Sequence, residues 1–303
     1  MLNDTKKAKE KQALSREAEQ KLVRFLSPLL FKLNKELDRR LVKNFLGLLL
    51  AIMQHRHRNH GLVLSELGGF LLGAEHCCAG TKRIHNLLSS SKWDGSEIED
   101  FHWAQASERF SSLQASGEKV FVVWDESVIE KSESLQAEHL CAVRSSKALR
   151  LKRIKPGYFN PPGGRPVFVP GFHWLNILVL GKKGAPTLAH MRWWTTRGEE
   201  RSSKRAEEQE VLAEIDQRWG KEVIHLWDRG FAGNPWLTQA FLHGARFILR
   251  WPKKFQLLNE EGELCKPGQI SKGKRSWGHR ELWDRSEERR VGKECRSRWS
   301  PYH

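Results

Sequence analysis

The apolar period of this chain changes once, near residue 117, and that change limits its fold more than any single motif does. Before it the spacing is helical. Leu22, Phe25, Leu26, Leu29, Leu30 and Leu33 fall at i, i+3, i+4, i+7, i+8 and i+11, one face of an α-helix. Pro28 lies inside that run and predicts a kink or a restart. A second apolar stretch, residues 41–53, ends in the basic sequence QHRHRNH. Ser65 then predicts the cap of a short helix ending near Gly73. Thr81 predicts the cap of another, with Ile84, Leu87 and Leu88 turned inward.

After residue 117 the runs become short, β-branched and aromatic. Residues 119–124 (KVFVVW), 172–180 (FHWLNILVL) and 186–195 (PTLAHMRWWT) predict three consecutive strands. The segment GKKG turns the second into the third. Residues 202–220 predict a helix with Leu212, Ile215 and Trp219 on its inner face, followed by a strand at 223–227 (VIHLW). Asn234 and Pro235 open a helix that closes at Gly244, and residues 246–251 (RFILRW) form a fifth strand ended by Pro252. The order β-β-β-α-β-α-β, with right-handed crossovers between the later strands, is that of an incomplete ribonuclease H-like mixed α/β sheet. The expected division is a helical DNA-binding region at 1–116 and a catalytic core at 117–254. Residues 255–284 follow the core. The two short helices of the first region have the pattern of a helix-turn-helix, with Lys82, Arg83 and His85 available to DNA.

Two acids follow buried strands at their carboxyl ends, Asp125 after KVFVVW and Asp228 after VIHLW. Open α/β sheets place ligands at those ends. In the expected strand order the first and fourth strands are neighbours, so carboxylates 103 residues apart in sequence meet. Like charges that close repel, and the usual remedy is a divalent cation between them. Metal ions so held assist in-line phosphoryl displacement. Taken alone, either aspartate could simply cap the element that follows it.

WDES, then DRGFAG about a hundred residues on, in a basic chain with 13 Trp, resembles a D-D-E transposase of bacterial insertion sequences. More narrowly, it is similar to the group whose third acid lies in a Tyr-Arg-Glu-Lys signature, and RLKRIKPGYFNPPGGRP also looks like that group. The resemblance implies cleavage of DNA at transposon ends and transfer of the resulting 3′-hydroxyl to target DNA. It implies that residues 255–284 are the start of an inserted β-rich segment. It implies Asp125 and Asp228 as catalytic, metal-binding carboxylates for Mg²⁺ or Mn²⁺, and a homodimer on double-stranded DNA, in the cytoplasm at the bacterial nucleoid. No segment carries the signature of the third acid; Glu281 is a carboxylate in the region without the surrounding residues. A chain without that ligand is expected to be inactive, and the alternative is a catalytically defunct DNA-binding protein derived from a transposase.

Charge fits a polyanionic partner. The net charge is +16. Arg144, Lys147, Arg150, Lys152, Arg153, Lys155 and Arg165 crowd the long connection after the first strand, where they are expected to contact phosphates. The final nineteen residues, 285–303, resemble the in-frame translation of a short-read sequencing adapter. They are expected to be an artefactual tail, the natural sequence running on differently after Asp284. Removing the six Lys/Arg and three Glu of that tail leaves +13. Five Cys in no disulfide framework fit a reducing compartment. His55, His57 and His60 fit a phosphate-facing patch better than a metal site, and no Walker-type loop implies ATP. No apolar run approaches the roughly 20 residues of a membrane span.

Overall fold

The computed structural model describes residues 2–55, 63–92, 94–131, 139–145, 168–258 and 262–270, in a mixed α/β architecture with helices first and a mixed sheet after them. The chain divides into two compact units, residues 1–101 and 102–303. The division falls some fifteen residues before the change of period, inside helix α5 (Ser96–Ala115). Trp103, Ala106 and Leu113 of that helix are buried in the core of the sheet unit, which the sequence reading had not assigned to it.

In the first unit, α1 (Leu2–Glu36) runs unbroken through Pro28, contrary to the expected restart. Leu26, Leu29 and Leu33 hold it against α2 (Arg39–His55) through Val42 and Phe45. Proline removes one N–H from a helix, a loss that burial of a three-turn apolar stripe outweighs. Phe25 stays half-exposed, its ring edge-on to Phe101 at 5.2 Å. The next two helices are α3 (Leu64–Leu72) and α4 (Cys77–Leu88). Neither expected cap holds. Val63 precedes α3, and α4 begins four residues before Thr81, whose hydroxyl donates back to the Cys77 carbonyl at 2.8 Å. Ile84 and Leu87 are buried, whereas Leu88 points out at 57% exposure. The α3 and α4 backbones touch. A Cβ on Gly80 would lie 2.1 Å from the Gly68 carbonyl oxygen, and one on Gly68 2.4 Å from the Thr81 nitrogen. Only glycine permits that approach.

The second unit is a six-stranded sheet with three helices on one face. Its strands are β1 (Val120–Glu130), β2 (Cys141–Arg144), β3 (Phe168–Leu180), β4 (Thr187–Trp194), β5 (Val223–Trp227) and β6 (Arg246–Leu249). They lie in the order β2-β3-β1-β5-β6, with β4 also paired to β3. β1, β3 and β4 are antiparallel neighbours in turn, while β1, β5 and β6 are parallel. Helix α6 (Lys204–Trp219), capped by Ser203, returns the chain from β4 to β5. Helix α7 (Asn234–Leu242), preceded by Gly233 rather than capped by Asn234, leads to β6. A two-stranded β7 (Leu257–Leu258) and β8 (Leu264–Cys265) follows. β2 was not expected; its Cys141 and Val143 are buried against Val169 of β3.

Alternate residues of the strands face the helices. Val120, Val122 and Trp124 of β1, Leu175, Ile177 and Val179 of β3, and Val223 and Trp227 of β5 bury against Val211, Leu212, Ile215, Trp236 and Leu237 of α6 and α7. Inside this layer the Trp124 indole N–H donates to His225 Nδ1 at 3.0 Å. Burial holds the His225 imidazole neutral, its pKa pushed down to about 3. His190, stacked on Trp103, is pushed down to about 4 by burial and then by Arg192 and Arg218.

Two predictions follow from this packing. Gly80→Ala forces apart two backbones in contact and is expected to destabilise the helical unit by about 1–3 kcal/mol, read as a lowered urea midpoint. His225 and His190 bind protons less readily folded than unfolded, so their contribution is complete above about pH 6.5 and is lost as pH falls toward 4 and 3. Buried Glu208, raised to about 7, acts in the opposite sense: its contribution is complete below the ordinary Glu range and is lost as pH rises through 7. With two histidines against one carboxyl, the urea midpoint is expected to fall between pH 6.5 and pH 5. A midpoint that rises across that interval would contradict the buried neutral histidines.

Candidate active site

Pairing of β1 with β5 runs from Val120↔Val223 to Val123↔Leu226. The pairing ends there; Asp125 lies two residues further along β1, and Asp228 lies two residues past Leu226, just beyond the end of β5 at Trp227. Trp124 is buried toward the helices, so Asp125, the next residue of β1, faces the other side; Asp228 follows the buried Trp227 at the end of β5, and both acids are exposed. One detail differs from the sequence reading. Asp125 does not end its strand: β1 continues to Glu130, because β3 pairs with it as far as Glu130↔Gly171.

The aromatic residues beneath the two acids interlock. Trp124 meets Trp227 edge-on at 6.1 Å, Phe231 at 5.8 Å and Trp236 at 5.6 Å, and Trp227 meets Trp236 at 5.0 Å. Edge-to-face contacts of this kind add about 0.5–1.5 kcal/mol each beyond area burial. Above them, Asp228 caps a short turn, Arg229–Phe231, its carboxylate accepting from the Gly230 N–H at 2.7 Å. A Cβ on Gly230 would lie 3.0 Å from Asp228 Oδ1 and 3.8 Å from both Glu126 Oε2 and Lys204 Nζ. Opposite Asp125 on β3 is Asn176. Further along the same face Trp174 stacks flat on Trp193, centroids 4.9 Å apart at 9°, and Trp193 is 47% exposed.

Behind this edge lies a charged network that sequence reading missed. Lys204, the first residue of α6, pairs with Glu126 of β1 and lies 3.6 Å from Glu208. Arg205 reaches Glu208 at 2.6 Å, and Arg192 of β4 reaches Glu207 at 2.6 Å. Desolvation of Glu208, which is 1% exposed, raises its carboxyl to about 7 against the pull of Lys204 and Arg205. The available signal was the run RGEERSSKR between a strand and a helix, whose glutamates hide its basic character in a charge count.

Cations line the same edge. β2 and β4 run parallel to β1; Arg197 and Arg201 leave β4 on this side, whereas Arg144 ends β2 opposite Phe168, eight residues along β3 from Asn176, the partner of Asp125. Arg229 follows β5, and Arg250 and Lys253 follow β6; all six are exposed. Of the phosphate-contact candidates read from sequence, Arg144 is described and exposed, but lies far along the sheet from Asp125. Lys147, Arg150, Lys152, Arg153, Lys155 and Arg165 lie outside the described residues, as do His57, His60 and Glu281. Lys82 and Arg83 are exposed on α4 of the first unit. His55 stacks on Phe70 at 3.5 Å.

Exposed carboxylates are hard oxygen donors, and one or two such groups are what Mg²⁺ or Mn²⁺ takes from a protein when water and phosphate supply the rest. By donor type Asp125 and Asp228 suit a divalent ion. Among the described residues no group of three or more His, Cys, Asp and Glu is placed to hold one. No helix of the described residues is long and apolar enough to cross a membrane.

No protein-family profile and no curated protein sequence matches this chain. Among solved structures, the crystal structure of the Mos1 strand transfer complex is similar at 14% identity over 66% of this chain and 56% of its own, with a TM-score of 0.21. That of a pre-cleavage Mos1 transpososome is similar at 13% identity over 66% of this chain and 57% of its own, also with a TM-score of 0.21. The chain thus spans little more than half the length of the chains it resembles. A TM-score of 0.21 is too low to carry fold or activity across.

Proposed function

We infer that this chain derives from a metal-dependent DNA transposase of the ribonuclease H-like D-D-E type, of the insertion-sequence group with the Tyr-Arg-Glu-Lys signature. Asp125 and Asp228 are the first two catalytic carboxylates. The observation that supports this reading is that Asp125 and Asp228, from distant parts of the sequence, each follow by two residues the last pair, Val123↔Leu226, of the neighbouring parallel strands β1 and β5. A strand order in which three antiparallel strands precede two parallel ones supports the fold assignment. Asp125 and Asp228 would hold Mg²⁺ or Mn²⁺, which when bound neutralises charge developing on a phosphoryl group in in-line displacement. The protein's own part is to align a strand of DNA. The rim from Arg197 to Lys253 binds phosphates without regard to sequence, and Trp193 offers an aromatic face to a base.

A second reading has its own observation. With two acids and no third ligand group among the described residues, the same surface suits a DNA-binding protein that has lost its chemistry. Partners under either reading are double-stranded DNA, with a homodimer expected on the transposon ends.

One experiment separates the two. The full chain is incubated with supercoiled DNA and Mg²⁺ or Mn²⁺, and nicking and binding are followed together. The enzyme reading expects metal-dependent nicking that Asp125→Ala and Asp228→Ala each reduce by at least about 100-fold, with DNA affinity retained. Nicking by both variants at the parental rate would refute it. Salt-sensitive binding with no nicking by the parent would establish the second reading. Under both, Arg197→Ala and Arg201→Ala weaken binding and flatten its salt dependence.

A further inference from the structure

We propose that Lys204 is the positioning residue of the Asp125/Asp228 pair, tying β1 to the turn that carries Asp228. This rests on the reading of those two acids as the metal-holding pair.

Asp125 sits on β1 and Asp228 just past the end of β5, and the pairing of the two strands stops short of both: the last pair in register is Val123↔Leu226. Beyond that point something else must fix their separation. Lys204 is built to do so. Its ammonium is held from the β1 side by Glu126, the residue after Asp125. From the β5 side it lies over the Phe231 ring, 5.3 Å from the centroid, at the end of the turn that Asp228 caps. Its own backbone is fixed at the start of α6, where the Ser203 side chain accepts from the Ala206 N–H. Glu208, one turn on, faces the same ammonium at 3.6 Å from a buried oxygen with no hydrogen-bond partner among the described residues. Gly230 completes the arrangement. A Cβ there would be in tight contact with the Asp228 carboxylate and in ordinary contact with Glu126 and Lys204, so the three groups converge on one point.

Two alternatives are distinguishable by sign. If Lys204 were merely a nearby positive charge, its removal would strengthen cation binding at the acid pair. If it holds the geometry, removal weakens binding despite the lost repulsion. Outer groups that orient metal ligands are worth about 10–100-fold in metal affinity.

The test is titration of the full chain with Mn²⁺ alone, by calorimetry or by the electron paramagnetic resonance of free Mn²⁺, with urea melts alongside. The parent is expected to bind Mn²⁺ and Asp125→Ala to lose it. Lys204→Met is expected to weaken binding at least about tenfold, and Lys204→Arg to restore most of the affinity. In a Glu126→Gln background, Lys204→Met is expected to add little, since the pair acts as a unit. Lys204→Gln serves in place of Lys204→Met if the latter does not fold. Neutral variants that bind Mn²⁺ as tightly as the parent, or more tightly, overturn the proposal while leaving the metal reading intact. A parent that takes up no Mn²⁺, or an Asp125→Ala variant that matches it, refutes the metal reading and the positioning role together.

Discussion

The pairing of β1 with β5 is fixed from below, by a buried aromatic layer, before any charge at the edge of the sheet is considered. Trp124 packs edge-on against Trp227, Phe231 and Trp236, and its indole N–H reaches across the strands to His225. A slip of one residue would turn Trp124 to solvent and leave the His225 acceptor buried without a donor, an error of about 1–3 kcal/mol for the polar atom alone. Each aspartate follows one of the interlocked tryptophans, and Asp125 faces the side opposite Trp124 because strands alternate. The acid pair is exposed because its neighbours in sequence are so thoroughly buried.

The same logic orders the rest of the edge. Parallel strands end at one side of a sheet, so the residues that leave β4, β5 and β6 emerge beside the acids whatever their separation in sequence. That side carries Arg197, Arg201, Arg229, Arg250 and Lys253. The ion pairs of Lys204 and Arg205 with Glu126 and Glu208 lie just behind. The outer cations are exposed and salt-screened, suited to a mobile polyanion. The inner ones are half-buried and committed to carboxylates, suited to holding geometry. One short stretch, RGEERSSKR, supplies both kinds.

Much of the core was legible in the sequence because its strands are short, apolar and well punctuated. β5 coincides with VIHLW, and β4 and β6 lie within the segments read as strands. The two acids were legible because each sits at a fixed offset from such a strand. What was not legible depended on partners. β1 extends past Asp125 because β3 is long enough to pair with it, and β2 exists because β3 offers it a further edge. Pro28 reads as a break, but α1 is held through it by Leu26, Leu29 and Leu33 against α2. Thr81 reads as a cap, yet its hydroxyl serves its own helix while Gly68 and Gly80 bring two backbones together. The Lys204 network was missed because Glu126 and Glu208, its partners, are 82 residues apart and meet only when α6 lies across the sheet.

The adjacency of Asp125 and Asp228 can be measured without any assumption about metal or DNA. In a chain carrying Asp125→Cys and Asp228→Cys, mild oxidation followed by proteolysis and mass spectrometry reports which thiols have joined. Neighbouring parallel strands place Cα atoms within the roughly 4.4–6.8 Å range of a disulfide. The register described here requires a peptide linking positions 125 and 228 as the main product. A chain in which those two positions stay reduced, or join Cys77, Cys78, Cys141 or Cys265 instead, would contradict it.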